Sequence, residues 1–560
     1  MNNNNETLQT LRIKIKMIKK IHIFLFVVQM FSTVLRAQVT QQWIATYNPF
    51  GNEDDAVALA VDDSRNVYVT GTSYGTGSDF DFATVKYNSS GIEQWAQRFN
   101  GAGNNIDRAS SMTLDGAGNI YVAGGSTGIN SRIVMTAVKY NPSGIQLYVL
   151  TYSGTASKGD FANSISVYGS GIVFMAGESE NMKTFTDYTT IKYNSFGSQQ
   201  WVRTYNGVDN LDDHLYAMTV DAAGNSYVTG VSSQGTTNAY DYLTIKYNSS
   251  GDEQWIKNYN DPSDGFDFAS SVAVDIQGNV YVTGASYGVG ADYDIATIKY
   301  SSTGMQEWVR RYNGSGNDRD AGLIVKTDNS GNVYVGGYST GSGTASDYTL
   351  LKYNSSGNLL WINRFNGQAN DNDILKSMVI DSSGNVYVTG YCKNAGTLDD
   401  YTTIKYSSDG VQEWIQTFNG SSNSEDKACS LALDNQGSVY VTGSSINSNG
   451  DKDYITIKYS QTTGVNLISN SVPDKFSLEQ NYPNPFNPTT TINYQVPMFN
   501  YVSLKVYDAL GNEVAVLVKE NQNAGSYSVS FNGANFPSGI YFYELREGSF
   551  NQTMKMILIR

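Results

Sequence analysis

Apolar and polar residues alternate along most of this chain with the two-residue period of half-buried strands, broken at short intervals by clusters of Gly, Asn, Asp and Ser. One stretch shows the unit. Ser270–Asp275 (SSVAVD), Asn279–Gly284 (NVYVTG), Asp294–Tyr300 (DIATIKY) and a segment from Glu307 through Trp308 to Tyr312 predict four strands. The run Asp275–Asn279 predicts a tight hairpin, because Gly accepts positive φ and an Asp carboxylate accepts backbone N–H groups. Tyr247–Gly251 (YNSSG) predicts the same between third and fourth strands. After residue 37 no long stretch has a helical period.

The unit recurs almost from one end of the chain to the other. Trp43, Trp95, Trp201, Trp255, Trp308, Trp361 and Trp414 mark its end at steps of 52 to 54 residues, with Tyr148 standing in once. Second strands begin at Asn66, Asn119, Gly171, Asn225, Asn279, Asn332, Asn385 and Ser438, so eight copies are expected. A lone four-stranded sheet cannot bury both faces, and radial stacking of such sheets solves that problem as a β-propeller. A fourth-type strand, Gln42–Tyr47, comes first, and the last copy stops after Asp453–Tyr459, its third strand. Pairing the two closes the ring and leaves no orphan edge.

The expected fold is therefore all-β: an eight-bladed β-propeller over 38–460 closed by an N-terminal strand, a linker at 461–473, and a β-sandwich over 474–560. In the last segment Val502–Tyr507, Val514–Val518, Tyr527–Phe531, Ile540–Leu545 and Thr553–Ile559 alternate. Residues 1–37 read as a signal peptide, with Arg12, Lys14, Lys16, Lys19 and Lys20 before the apolar run Ile21–Leu35 and Ala37 as the cleavage site. An uncleaved anchor is the competing reading, and Met17 is an alternative start.

The GNVYVTG, DYxTIKY and YNSSGxxxW segments resemble the secreted bacterial β-propeller repeat family over Gln42 to Tyr459. That resemblance implies the fold and no general activity. The tryptophan spacing is also similar to the tryptophan-docking repeat of eight-bladed quinoprotein dehydrogenases, which implies indoles packed between blades; no quinone-site motif accompanies it. Asn481–Thr489 (NYPNPFNPT), Leu504–Val514 (LKVYDALGNEV), Ala524–Tyr527, Pro537–Tyr541 and the basic end Lys555–Arg560 closely resemble the C-terminal sorting domain of type IX secretion in Bacteroidetes and relatives. By that resemblance 474–560 is an Ig-like sandwich recognised by the outer-membrane translocon, and the protein is released outside the cell or attached to its surface. An ordinary adhesive Ig-like domain is the alternative.

Charge narrows the partners. The net charge is −15, and loss of 1–37 would make it −20, which argues against nucleic acid and anionic membranes and favours solubility or cation binding. Cys392 and Cys429 are the two cysteines, expected as free thiols because both replace small residues of the repeat.

Two polar series keep register with the repeat. Asp107, Asp160, Asp213, Asp267, Asp320, Asp373 and Asp426, with Asp54 or Asp55 in the first copy, would ring one mouth of the channel if the first strands line the axis. Such carboxylates would suit a hard cation such as Ca²⁺, bound through oxygen; a turn or strand-capping role is the competing reading. Lys86, Lys139, Lys192, Lys246, Lys299, Lys352, Lys405 and Lys458 form the second series, and all but Lys139 follow an aspartate (Asp81, Asp187, Asp241, Asp294, Asp347, Asp400 or Asp453) by five residues. The odd offset puts the two on opposite faces of a strand, which predicts pairing between blades.

No catalytic constellation, phosphate loop or zinc spacing stands out. His214, the one histidine beyond the leader, departs from the repeat and reads as a ligand or base, or as variation at an exposed edge. The expected role is a binding or adhesion platform for a glycan or protein, without a cofactor. A polysaccharide hydrolase or lyase and a purely structural surface component are the alternatives.

Overall fold

The computed structural model describes residues 39–560 apart from 156–158, 183–184, 209, 234–239, 262, 289–291, 462–464, 470–471, 534–535 and 560. The leader expected at 1–37 lies outside the described residues. The chain divides into two compact units, one spanning Val39–Ser460 and the other containing Gln461–Arg560. Among the described residues every named element is a strand.

In the first unit the strands form eight four-stranded antiparallel sheets. The fifth consists of Asp267–Val274, Val280–Tyr287, Tyr293–Tyr300 and Gln306–Tyr312, in chain order. Its first strand starts earlier than the alternation suggests, at Asp267 instead of Ser270, because a bulge between Ala269 and Ser271 interrupts the period of two. The hairpin after it is shaped by one carboxylate. Asp275 accepts the N–H groups of Gln277 and Asn279 at 3.0 and 2.8 Å, and the side chains of Asn279 and Tyr281 at 2.8 and 3.0 Å. Gly278 turns the chain at φ 80°. Tyr281 is thereby held with its ring in the core and its hydroxyl paired.

The first strands of the sheets are Asp54–Val61, Arg108–Leu114, Asp160–Tyr168, Asp213–Val220, Asp267–Val274, Asp320–Thr327, Asp373–Ile380 and Asp426–Leu433. Each packs on the next in that order, and the last packs on the first. Their contacts make a closed circuit. Val39–Tyr47 completes the eighth sheet by pairing with Lys452–Gln461, so the two ends of the array share one sheet.

Neighbouring sheets are latched through the tryptophans. Trp43, Trp95, Trp201, Trp255, Trp308 and Trp361 each donate Nε1–H to a carbonyl in a third-to-fourth-strand hairpin of the following sheet, at Ser89, Pro142, Ser249, Ser302, Ser355 and Ser408, over 3.1–3.4 Å. Trp414 is buried beside Tyr387 at 6.2 Å between ring centroids, and Tyr148 lies against Gly197 where the other copies have an indole.

The lysine series serves the same latch. Lys86, Lys192, Lys246, Lys299, Lys352 and Lys458 donate to those same six carbonyls, while their ammonium groups lie over Tyr68, Phe174, Tyr227, Tyr281, Tyr334 and Tyr440. The expected aspartate–lysine pairs between sheets do not form among the described ion pairs. Asp81, Asp294 and Asp347 instead pair with Arg98, Arg311 and Arg364 on the fourth strand of their own sheet, at 2.7–2.9 Å. The odd spacing does separate Asp from Lys, but the lysine finds a carbonyl across the junction and the aspartate a guanidinium within its sheet.

The second unit has two four-stranded sheets. One runs Val465–Ser469, Gly525–Asn532, Thr489–Val496, Ser477–Leu478; the other runs Glu513–Gln522, Asn500–Tyr507, Gly539–Glu547, Phe550–Leu558. Ile492 and Val529 from the first and Leu504 and Tyr543 from the second share one core, so the sheets pack face to face. Val465–Ser469 falls inside the stretch expected as a linker, yet it pairs with Gly525–Asn532. Its five residues, flanked by Ser, Thr and Asn, are too short to show an alternation of their own. The Asn-Tyr-Pro-Asn-Pro-Phe segment is structural: Asn481 N–H donates to the Tyr543 hydroxyl at 2.8 Å, its side chain donates to Thr490 at 2.8 Å, and Phe486 is buried.

Candidate binding face

The recurring aspartates do not ring a solvated mouth. Asp54, Asp107, Asp160, Asp213, Asp267, Asp320, Asp373 and Asp426 are all buried. In seven of the eight sheets this carboxylate accepts the backbone N–H six residues earlier, from Gly101, Gly154, Gly207, Asp261, Gly314, Gly367 and Gly420, at 2.5–2.9 Å. Each loop amide claims one oxygen of its carboxylate. Among the described residues no three His, Cys, Asp or Glu side chains are grouped to hold a metal ion, and these contacts are those of the turn or strand-capping role. Burial pushes Asp54, Asp107, Asp213 and Asp373 up to about 6. Asp241, at the start of a third strand, is pushed up to about 7 by burial, with Asp267 of the next sheet adding to it.

The residue after each of these aspartates is where the copies differ in kind: Asp55, Arg108, Phe161, His214, Phe268, Ala321, Ile374 and Lys427. These positions lie at the starts of the first strands, beside strand ends of the preceding sheet. Asp55 pairs with Lys452 at 2.7 Å, and Lys427 with Asp399 and Glu425 at 3.2 and 2.8 Å. Lys427 also lies 5.3 Å over the Tyr391 ring, beside a pocket of about 360 Å³ lined by Asp371, Ile374, Tyr391, Lys393, Asp399 and Glu425. Arg108 lies 5.8 Å over Phe80. Arg319, one residue before Asp320, lies 5.5 Å over Tyr293.

Around the fourth and fifth sheets the same face is aromatic. His214 stacks on Tyr216 at 6.3 Å and 8°, and meets Tyr240 at 6.2 Å. Tyr240 in turn meets Phe266 and Phe268 at 6.2 and 6.3 Å, those two stack at 10°, and Phe268 reaches Tyr293 at 5.9 Å. Tyr216 and Phe266 are 42% and 43% exposed. The rings form one continuous arc with an open edge.

His214 pairs with a carboxylate, and among the described residues it belongs to no group of three metal-ligating side chains. Its Nδ1 is 3.3 Å from Glu178 Oε1 of the preceding sheet, and that hydrogen bond raises its pKa above the ordinary value. Glu178 belongs to the most irregular copy, which lacks the Asp-x-x-Gly turn yet forms a regular sheet. Cys392 and Cys429 are free thiols, the first buried and the second half-buried with Sγ donating to the Ala56 carbonyl at 3.1 Å. Of the arc, the sequence alone singles out His214. Tyr216, Tyr240, Phe266, Phe268 and Tyr293 escape notice there because aromatic residues in strands ordinarily read as core. The signal that finds them is the divergence of one position among copies that are otherwise alike.

Comparison with known proteins fits this architecture. Residues 480–560 match the family described as secretion system C-terminal sorting domain, and 94–130, 254–290 and 361–394 match the beta-propeller repeat. An uncharacterized WD repeat-containing protein of Acanthamoeba polyphaga mimivirus is 22% identical over 488 residues, covering 72% of this chain and 31% of its own length. The chain thus spans about a third of that curated relative. Among solved structures, PorZ, a surface component of the type IX secretion system of Porphyromonas gingivalis, is 16% identical with a TM-score of 0.37, over 90% of this chain and 66% of that one. A copper-bound fungal alcohol oxidase is 12% identical with a TM-score of 0.37, over 93% of this chain and 99% of that one. Likeness at this level transfers neither an arrangement nor an activity. The chain thus carries beta-propeller repeats at 94–130, 254–290 and 361–394 and a secretion system C-terminal sorting domain over 480–560.

Proposed function

We propose that this chain is an exported eight-bladed β-propeller displayed at the cell surface, which binds a ligand through the aromatic arc without turning it over. The observation that carries the reading is the continuous run of rings across two neighbouring sheets of a repetitive unit: Tyr216 and Phe266 at the open edge, joined through Tyr240 and Phe268. Open aromatic patches on a folded surface mark interaction sites, because burying them on a partner is favourable and leaving them in water is not. The cyclic order of the eight sheets and the shared eighth sheet support the closed ring. Residues 474–560, as an Ig-like sandwich, serve as the address read by the type IX machinery at the outer membrane, and 1–37 as the leader that precedes it.

Display of the purified protein on arrays of glycans and peptides tests the binding role. The native chain is expected to retain one ligand class, and a Tyr216→Ser/Phe266→Ser variant to lose it. Equal retention by both chains sinks the assignment to this face, and release of product from any retained polysaccharide overturns the non-catalytic part. Export is tested by deleting 474–560, which is expected to leave the protein in the periplasm; normal appearance outside would refute the address.

A further inference from the structure

The geometry points to a basic polypeptide, presenting Lys or Arg side chains, as the partner of the aromatic arc; this rests on the binding role proposed above. The face already binds cations from within the chain. Arg108 lies over Phe80, Arg319 over Tyr293 and Lys427 over Tyr391, at 5.8, 5.5 and 5.3 Å, each reaching from one sheet to a ring of the sheet before it. At the fourth-to-fifth junction the residues in those places are Phe266 and Phe268, so Tyr240 meets rings of the following sheet where Phe80, Tyr293 and Tyr391 meet a cation. Electron-rich ring faces attract ammonium and guanidinium groups most strongly when carboxylates stand nearby.

Carboxylates do stand nearby. Glu178 acts on Tyr216, Asp212 acts on Tyr240, and the exposed Asp264 precedes Phe266 by two residues. Asp292 flanks Tyr293, 3.8 Å from Arg319. His214 engages Glu178 and also feels Asp212, whereas Asp264 beside Phe266 has no cation of the same chain paired to it among the described ion pairs. A chain of net charge −15 also draws a basic partner toward itself and repels polyanions. The site so defined reads cationic side chains by ring face and carboxylate together.

Fluorescently labelled octalysine and octaglutamate peptides and a labelled neutral cello-hexaose are the probes, with anisotropy read on the full chain at physiological ionic strength. Tyr216→Ser/Phe266→Ser removes ring area at unchanged net charge, and Phe196→Ser, at an 86% exposed position in a hairpin of the third sheet, is the control. The expected result is that octalysine binds the native and control chains and at least tenfold more weakly the double variant, while octaglutamate does not bind. Equal octalysine binding by native and double variant means attraction to the overall charge and overturns the inference. Arc-dependent binding of cello-hexaose without octalysine also overturns it while preserving the binding role, whereas no arc-dependent binding of any probe, on these or on the arrays, removes both.

Discussion

Trp43 and Lys458, from opposite ends of the repeat array, converge on one oxygen: Trp43 Nε1 and Lys458 Nζ lie 3.1 and 3.5 Å from the Ser89 carbonyl. Other latches repeat this geometry between sheets that follow one another in sequence, as Trp255 and Lys246 do on the Ser302 carbonyl. The first pair differs in closing a loop of the whole array, so its loss opens the ring instead of loosening one junction. Trp43→Ala is expected to cost roughly 2–4 kcal/mol, somewhat below the usual value for a fully buried indole. It should also make the segment from Val39 to Tyr47 an early target of a protease. Trp255→Ala should cost about as much with no N-terminal cleavage, and identical proteolytic maps for the two would show that closure has no special standing.

Glycine in the hairpin is required for two separable reasons. A Cβ on Gly251 would fall 2.7 Å from the Trp201 ring, and its φ is +83°. Gly437 has nearly the same backbone, at φ +77°, with nothing within 4 Å of a Cβ. Gly437→Ala should therefore cost the left-handed backbone term alone, about 1 kcal/mol, and Gly251→Ala at least about 1 kcal/mol more for the displaced indole. Thermal midpoints of the two variants measure the difference. Equal shifts would mean that the indole moves aside freely.

The strands, the Asp-x-x-Gly turns and the tryptophan spacing were legible because each copy repeats the same solution, and eight copies average out local noise. Ala269 and Ser271 show where this stops: the bulge between them hides the start of the first strand, since a period-two pattern cannot register an extra residue. Lys299 shows a second limit. Its five-residue offset from Asp294 reads correctly as opposite faces, but the carbonyl of Ser355 that it takes belongs to backbone, which carries no sequence signature. The aromatic arc was hidden for the opposite reason. Repeats draw attention to what they share, and Phe268 or His214 matters because its counterparts are Ala321, Ile374 or Lys427.

The thiols should be inert in the folded chain. Burial pushes Cys429 up to about 12, and Cys392 is buried with its thiol raised by the same cause. A thiol that stays protonated is a poor nucleophile. Ellman's reagent under mildly alkaline conditions is expected to label neither cysteine in native protein and both after denaturation, and rapid labelling of either in the native state would contradict the packing around it.

Stability should rise on mild acidification. The folded-state values of Asp54, Asp107, Asp213 and Asp373 are raised to about 6, and that of Asp241 to about 7, against about 3.9 for an unfolded aspartate. For a group raised in the folded state, the folded form holds the proton more tightly. Its stabilising contribution is complete below the unfolded value and is lost as pH climbs through about 6 to 7. His214, also raised, acts with the same sign. The turn aspartates oppose this only in stronger acid. Burial works against ionisation of Asp115, Asp221 and Asp328, but the hydrogen bonds they accept from Asn119, Asn225 and Asn332 outweigh it and lower them, so their contribution is lost below about pH 4. The thermal midpoint is thus expected to peak near about pH 5 and to fall by several degrees toward about pH 8. Asp213→Asn, which keeps an oxygen for the Gly207 N–H, should flatten that slope and raise the midpoint at the alkaline end. A midpoint that is highest at neutral to mildly alkaline pH, or a slope that Asp213→Asn leaves unchanged, would mean that the buried carboxylates hold their charge without cost.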